Sequence, residues 1–266
     1  MLRTRLVTAA VALPVVIWIV LGWSPAFFVG FITVLGWVAL LEYFHMALPH
    51  DPIERWVGIA GGVAVAGGVG SGHPSVWGAA LALMVVSGLV IALARSEDLP
   101  SAVHRLGITL LGVLYVGFFV PHMVLLREFP AGGRWWALFT TAVAMASDTG
   151  GYFVGGWIGR TKLLPTVSPS KTWEGAVGSV GGALLCAWLA YLTVFREGTF
   201  LEDSLVAVAI SVFAQLGDLC ESALKRAFGA KDSGWIIPGH GGILDRLDSL
   251  LFPMVFVYYY AVLVHG

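Results

Sequence analysis

The chain has 266 residues, of which 58% are hydrophobic and 12% are charged, with a net charge of −1. Soluble domains carry about 25% charged residues. Together with a mean hydropathy of +0.86, this excludes an ordinary soluble domain. The composition predicts an all-α, polytopic integral membrane protein.

A membrane-spanning helix needs about 20 mostly apolar residues, and nine segments of the chain are candidates. The first is flanked by basic residues but lacks a small-residue cleavage site, so we expect a retained helix and not a signal peptide. The third is short and rich in glycine. The candidates in chain order are 5–22, 25–44, 56–71, 75–94, 106–126, 135–156, 173–195, 204–221 and 249–265.

The basic residues predict the orientation of these helices. With nine spans and a cytoplasmic N-terminus, twelve of the fifteen Lys and Arg residues lie in cytoplasmic segments. Only Arg127, Arg134 and Arg196 lie outside, in agreement with the positive-inside rule. This places the loops 157–172 and 222–248 on the cytoplasmic face.

Glycine is frequent, at 34 residues, and pairs such as Gly151/Gly155 and Gly178/Gly182 have the spacing that allows helices to approach closely in lipid. Cys186 and Cys220 lie in predicted helices without metal-ligand spacing. We interpret both as small buried hydrophobic residues.

Ionisable residues at membrane depth are costly and therefore candidates for function. Four carboxylates lie in or at the ends of apolar runs: Glu42, Asp148, Asp218 and Glu221. We interpret Glu42 as an interfacial residue at a helix end.

The segment 222–248 is a polar island between two apolar runs. On a helix, Asp218, Glu221, Ser222 and Lys225 share one face, and Asp245 and Asp248 repeat the i, i+3 spacing at the start of the last helix. Carboxylate oxygens suit Mg²⁺, which shares its remaining ligands with water and substrate phosphates. The alternative is a set of salt bridges between these carboxylates and the basic residues Lys225, Arg226 and Arg246.

Features near the carboxylates indicate a phosphate ligand. Gly239, Gly241 and Gly242 allow the backbone to approach a ligand, and four basic residues lie in the same island: Lys225, Arg226, Lys231 and Arg246. His240 is either a phosphate donor or a residue that holds the loop. A second polar segment contains Asp148 and, further on, Ser168 to Gly175, where the predicted seventh helix begins and would favour an anion. No GxxxxGK[ST] motif is present, which excludes a P-loop enzyme.

The polar island resembles the signature of the phosphatidate cytidylyltransferase family. The resemblance is carried by Ser222, Lys225-Arg226, Lys231-Asp232, Pro238, His240-Gly241-Gly242, Asp245-Arg246 and Asp248, and it extends to Asp148-Thr149, Lys171-Thr172 and Glu174-Gly175. Two departures from the pattern occur, since the family often has a basic residue where Ser170 stands and another near Gly156. The matching positions lie in residues 131–266, which we therefore expect to form the catalytic part, whereas residues 1–130 form the N-terminal transmembrane helices.

The resemblance implies transfer of CMP from CTP to phosphatidic acid, with release of pyrophosphate, at the cytoplasmic face of the inner membrane. It implies Mg²⁺ held by Asp218 and Asp245, leaves room for a second cation, and suggests a homodimer; the partners are CTP, phosphatidic acid and the bilayer, with no nucleic acid. Asp218, Asp245, Lys225 and Arg226 are the expected catalytic residues. The expected substrate-binding residues are Asp148, Lys171, Thr172, Glu174, Glu221, Ser222, Lys231, Asp232, His240, Gly241, Gly242, Arg246 and Asp248.

Charge determines the mechanism expected for this reaction. The second pKa of a phosphomonoester is about 6, so the attacking oxygen is already anionic at pH 7 and needs no general base. Catalysis by Mg²⁺ and cationic side chains would then align the reactants and offset charge on the pyrophosphate. Two alternatives are a membrane kinase acting on an isoprenoid alcohol, which would need a base, and a secondary transporter, which would place its charges near the bilayer midplane.

Overall fold

The computed structural model describes residues 15, 17–95, 98–193, 199–234 and 241–266. The described chain is mainly helical, with one short hairpin. The helices are α1 (Pro25–Ala47), α2 (Pro52–Gly70), α3 (Pro74–Ala94), α4 (Leu99–Gly112), α5 (His122–Arg127), α6 (Gly133–Ile158), α7 (Trp173–Thr193), α8 (Phe200–Ala227) and α9 (Leu244–His265). Two π-helical segments, Trp18–Gly22 and Val113–Phe118, accompany them.

Six described helical segments are long and apolar enough to cross a membrane: α1, α3, α7, α8, α9 and a continuous stretch Leu99–Arg127 that includes α4 and α5. The chain is therefore a multi-pass membrane protein. Helices α2 and α6 occupy the predicted spans 56–71 and 135–156 but are not among the six. Most of the predicted first span, 5–22, lies outside the described residues, so the count of nine and the position of the N-terminus stay predictions.

The helix boundaries follow from local chemistry. Helices α1, α2 and α3 each begin with proline, whose missing N–H would have no partner in the first turn. Helix α4 is capped by Asp98, whose Oδ1 accepts a hydrogen bond from the Ser101 amide at 3.3 Å. The hydrogen bonds from Ser101 lower the pKa of this carboxyl.

The predicted loop 157–172 contains an antiparallel hairpin of β1 (Lys162–Leu164) and β2 (Ser168–Thr172). Lys162 is opposite Thr172, and Leu164 is opposite Ser168. The hairpin leads directly into α7. It therefore places the end of β2 beside the first turn of that helix.

The chain divides into two compact units. Unit 1 comprises residues 1–28, 126–223 and 248–266, and unit 2 comprises residues 29–125 and 224–247. The boundaries fall within α8, after Ala223, and within α9, after Leu247. The sequence predicted a catalytic part in residues 131–266 and N-terminal transmembrane helices in residues 1–130. The two units do not test which part is catalytic, so this division stays a prediction.

Unit 2 is organised around one face of α1. Leu40, Tyr43 and Phe44 are almost completely buried. The Tyr43 hydroxyl donates to the carbonyl oxygen of Ile108 at 3.1 Å, and its ring lies 6.0 Å from that of Phe228. This side of α1 therefore packs against both sequence segments of unit 2.

In unit 1, small residues bring α6 and α7 into close contact, as their spacing predicted. A Cβ atom added at Gly182 would overlap the carbonyl oxygen of Ala146, and one added at Gly150 would overlap the carbonyl oxygen of Gly178. The neighbouring Gly181 has nothing within 4 Å of the corresponding point. The helices thus approach to backbone contact on one side of α7 only.

We expect Gly182→Ala to destabilise the folded protein by about 1–3 kcal/mol, because the added methyl group has no space between α6 and α7. Gly181→Ala is the matched control on the same helix and should cause no loss. Thermal unfolding of both variants in detergent, followed by tryptophan fluorescence, measures the difference. Equal midpoints for the two variants would contradict this packing.

Candidate active site

A cavity of about 390 Å³ lies within unit 1 and is formed by α6, the hairpin, α7 and α8. Its polar and charged lining comprises Asp148, Tyr152, Ser170, Lys171, Thr172, Ser179, Gln215 and Asp218. Glycines at 151, 155, 156 and 175 complete much of the wall. Gly156 and Ser170, which mark the two departures from the family pattern, both line it.

The charged groups of this cavity are Asp148, Lys171 and Asp218. The Lys171 ammonium lies 2.6 Å from Asp218 Oδ2, and the Ser222 hydroxyl donates to Asp218 Oδ1 at 3.3 Å. Asp148 is hydrogen-bonded to the Ser249 side chain. The structure therefore brings together residues that the sequence predicted on three separate segments.

Two predicted substrate-binding residues hold the hairpin against α7. The Glu174 carboxylate accepts hydrogen bonds from the amides of Arg160 and Thr161 and from the Thr161 hydroxyl, at 3.0–3.2 Å. Thr172 is buried, and its hydroxyl oxygen accepts from the Gly175 amide at 3.1 Å. These contacts fix the segment that presents Lys171, and a direct role of Glu174 or Thr172 in binding stays a prediction.

Gln215 is a cavity residue that the sequence analysis did not identify. Its amide nitrogen donates to the backbone carbonyl and the hydroxyl of Ser211, both at 3.2 Å. The Ser211 hydroxyl is in turn 2.8 Å from that of Ser147. The sequence contained one indication of this role, because Gln215 is a polar residue within an apolar run, three residues before Asp218.

Asp245 lies in unit 2, and hydrogen-bond donors surround its carboxylate. Lys225 Nζ is 2.5 Å from Oδ1. Oδ2 accepts from the Ser233 amide and hydroxyl, both at 2.9 Å, and from the Gly242 amide at 2.8 Å. We call Asp245 with these donors the Asp245 cluster. The Lys225 contact agrees with the salt-bridge alternative for this lysine.

Two glycines, Gly241 and Gly242, lie against this cluster. Gly241 has φ +78°, a conformation that favours glycine, and a Cβ atom there would lie 2.7 Å from Asp245 Oδ2. Gly242 supplies an amide to the carboxylate. The amides of Ser233 and Gly242 thus bind an anion, which is the protein's own Asp245 carboxylate.

The remaining predicted residues are distributed as follows. The Arg226 guanidinium donates to the carbonyl oxygen of Ala230 at 3.2 Å, while Lys231 and Asp232 are exposed. Glu221 is buried on α8, 1% exposed, and the Asp248 carboxylate accepts from the Ser249 amide at 2.6 Å. Arg246 lies in the first turn of α9, and His240 lies outside the described residues.

Glu42 is the second residue that the sequence interpretation missed. It is buried, 5% exposed, and its carboxylate accepts hydrogen bonds from the amides of Ile243 and Leu244. The side chain is therefore not solvated as an exposed helix-end residue would be, while its position at the membrane interface stays a prediction. A charged residue in an apolar run was the only signal.

Two carboxylates of the cavity have the chemistry of Mg²⁺ ligands. Within the described ranges, no group of three or more His, Cys, Asp or Glu side chains could hold a metal ion on its own. However, Asp148 and Asp218 line one polar cavity, and Mg²⁺ is usually bound by one or two carboxylates together with waters and substrate phosphates. The cavity therefore fits such an ion.

The known proteins that this chain resembles are cytidylyltransferases. The model of the cytidylyltransferase family matches residues 3–264. The phosphatidate cytidylyltransferase of Bacillus subtilis is 41% identical over 155 residues, which are 58% of this chain and 58% of that protein. The enzyme of the same name from Staphylococcus epidermidis is 32% identical over 224 residues, covering 84% of this chain and 78% of that protein.

A third relative, from Synechocystis, also carries the name phosphatidate cytidylyltransferase and is 39% identical over 182 residues. The match covers 59% of this chain and 62% of that protein. The chain thus matches less than two thirds of the length of the B. subtilis and Synechocystis proteins. Similarity to the S. epidermidis protein extends over most of both chains.

Proposed function

Since the chain belongs to the cytidylyltransferase family, we propose that it transfers CMP from CTP to phosphatidic acid, forming CDP-diacylglycerol and pyrophosphate. The structural observation that carries this proposal is the cavity of unit 1. There an ion pair between Lys171 and Asp218 lies beside a second carboxylate, Asp148. Such a mixture of cation and carboxylates suits a polyanionic substrate that binds together with a divalent metal ion.

The proposed roles follow from charge. Asp218 and Asp245 are the proposed Mg²⁺ ligands, and Asp148 is a further carboxylate that fits this role beside Asp218. Mg²⁺ bound there would neutralise phosphate charge and polarise the reacting phosphoryl group. We extend the proposal to a second cation on the basis of the family resemblance alone.

Basic side chains complete the proposed substrate site. Lys171, held beside Asp218 by the hairpin, binds a phosphate group, and Lys225, Arg226, Lys231 and Arg246 offset the remaining negative charge. His240, Gly241 and Gly242 are further proposed phosphate donors. Catalysis then consists of alignment and charge neutralisation, because the phosphatidate oxygen is ionised at neutral pH and needs no base.

The reaction takes place at the cytoplasmic face of the inner membrane. Support comes from the excess of basic residues in the loops 157–172 and 222–248. Phosphatidic acid keeps its acyl chains in the bilayer, while its head group meets CTP from the cytoplasm. We extend the proposal to a homodimer on the basis of the family resemblance alone.

The decisive experiment is an assay of the purified protein with radiolabelled CTP in mixed micelles. We expect CDP-diacylglycerol and pyrophosphate in equal amounts, and only when phosphatidic acid and Mg²⁺ are both present. Diacylglycerol and an isoprenoid alcohol are the matched lipids without a phosphate group. Phosphorylation of either alcohol would instead establish a lipid kinase, and uptake of a solute into vesicles without any CTP chemistry would establish a transporter.

A further inference from the structure

Glu42, on helix α1, contacts the beginning of helix α9, about 200 residues later in the chain. Its Oε1 accepts a hydrogen bond from the Ile243 amide at 3.0 Å, and its Oε2 accepts one from the Leu244 amide at 2.8 Å. Amides at the start of a helix have no partner within the helix, and the helix dipole favours a negative charge there. Glu42 therefore caps α9 from a distant segment.

The same carboxylate borders the Asp245 cluster. The Ser233 hydroxyl lies 2.9 Å from Asp245 Oδ2 and 3.4 Å from Glu42 Oε2. A hydroxyl has one proton to donate, and the shorter distance assigns it to Asp245. Glu42 therefore acts mainly through the two amides of α9, and Ser233 lies between the two acidic groups.

Two glycines leave the space that Glu42 occupies. A Cβ atom at Gly234 would lie 2.5 Å from Glu42 Oε1, and one at Gly242 would lie 2.5 Å from Oε2. The backbone at Gly234 and at Gly242 thus lies directly against the Glu42 carboxylate. A larger residue at either position would displace Glu42 or the backbone there.

We propose that Glu42 is a positioning residue for nucleotidyl transfer: it holds the segment 242–245, and with it the Asp245 carboxylate, in the geometry that the reaction uses. The proposal rests on the proposed function, because it assigns Asp245 a part in the reaction. It gives a chemical role to a helix of the N-terminal half, where the family signature is absent. Glu42 itself touches no substrate, since its carboxylate is enclosed by protein.

The test compares Glu42→Gln with Glu202→Gln. The first variant keeps the size of the side chain but directs an NH₂ group at one of the two amide donors. The second is a control on α8, where Glu202 bonds to Tyr260 and His265. We expect Glu42→Gln to lower kcat by about 10- to 100-fold and to raise the Mg²⁺ concentration for half-maximal rate, as loss of a group supporting a metal ligand does. Glu202→Gln should change neither quantity.

Hydrogen exchange provides a readout that does not depend on activity. In Glu42→Gln the amides of Ile243 and Leu244 should exchange faster than in the wild type, whereas Glu42→Asp, which keeps the charge, should restore part of both the protection and the rate. If Glu42→Gln does not fold, Glu42→Asp should show an intermediate loss of rate, a raised requirement for Mg²⁺ and faster exchange of the two amides than in the wild type. This variant shortens the side chain without placing an amide group in the cap.

The outcomes separate the two proposals. A purely structural role would lower the yield or thermal stability of Glu42→Gln but leave its half-maximal Mg²⁺ concentration unchanged, which would overturn the inference. Unchanged exchange of the two amides would overturn it as well. A wild-type protein without CTP-dependent transfer would instead count against the proposed function. The exchange experiment would still report whether Glu42 holds the segment 242–245.

Discussion

Replacing Asp218 or Asp245 by asparagine is expected to lower turnover by about 100-fold or more, because each change removes a negative charge proposed to hold Mg²⁺. The shape of the side chain is preserved, so the loss would reflect charge and not volume. The measurement is kcat across a Mg²⁺ titration for each variant. Full activity of either variant at saturating Mg²⁺ would refute its assignment as a ligand.

The two substitutions should differ in their effect on stability. The Asp218 side chain is 33% exposed and its partner Lys171 can reach solvent, so Asp218→Asn should unfold at nearly the wild-type temperature. The Asp245 side chain is only 8% exposed and accepts from three donors on one oxygen. Asp245→Asn is therefore expected to cost about 1–3 kcal/mol.

The same substitution at an aspartate outside the proposed site serves as a control. Asp98→Asn changes an exposed residue that caps α4, and asparagine caps helices about as well as aspartate. We expect wild-type activity and stability for this variant. A loss of activity comparable to that of Asp218→Asn would indicate that the assay reports folding and not chemistry.

The pH dependence of the reaction is the second large effect that we expect. At saturating CTP and Mg²⁺, kcat/KM for phosphatidate should rise about tenfold per pH unit below the second pKa of its phosphate, near 6, and then become constant. The sign follows from ionisation of the acceptor, because the dianion is the attacking form and its fraction increases with pH. No further rise should occur from a side-chain base.

Variants and a substrate analogue locate the group that titrates. His240→Gln should lower the rate but keep the acidic limb, because His240 is proposed to bind phosphate and not to accept a proton. An analogue with a methylene group in place of the ester oxygen ionises at higher pH, and its limb should shift by the same amount. Loss of the limb in His240→Gln or in Asp148→Asn would assign the titration to the protein and contradict catalysis by charge neutralisation.

Several properties of this protein are determined by the sequence alone. Long apolar runs predicted helices that the structure contains in the described part of the chain, because every backbone hydrogen bond of a helix is made within a few residues and the bilayer requires such closure. The i, i+4 spacing placed Ser222 beside Asp218, and the structure has that hydrogen bond. The signature around Asp245 also identified the family, which the comparison with known proteins confirmed.

The partners of the charged side chains were decided by the tertiary structure. Helical spacing placed Lys225 and Asp218 on one face, but it did not predict that Lys225 contacts Asp245, twenty residues further on, or that Asp218 pairs with Lys171. Lysine has a long flexible side chain, so a helical face restricts its position without selecting its partner. The hairpin that carries Lys171 was likewise expected only as a loop.

The contact of Glu42 with α9 is the clearest example of a feature that the sequence did not predict. Glu42 belongs to no periodic pattern and lies close to no motif, yet its carboxylate caps a helix that begins about 200 residues later. Helix periodicity arises from contacts within a few residues, whereas a side chain that binds the amides of a distant segment leaves no spacing to detect. The sequence therefore determined the helices, the signature and the family, and the folded chain alone decided which buried groups satisfy one another.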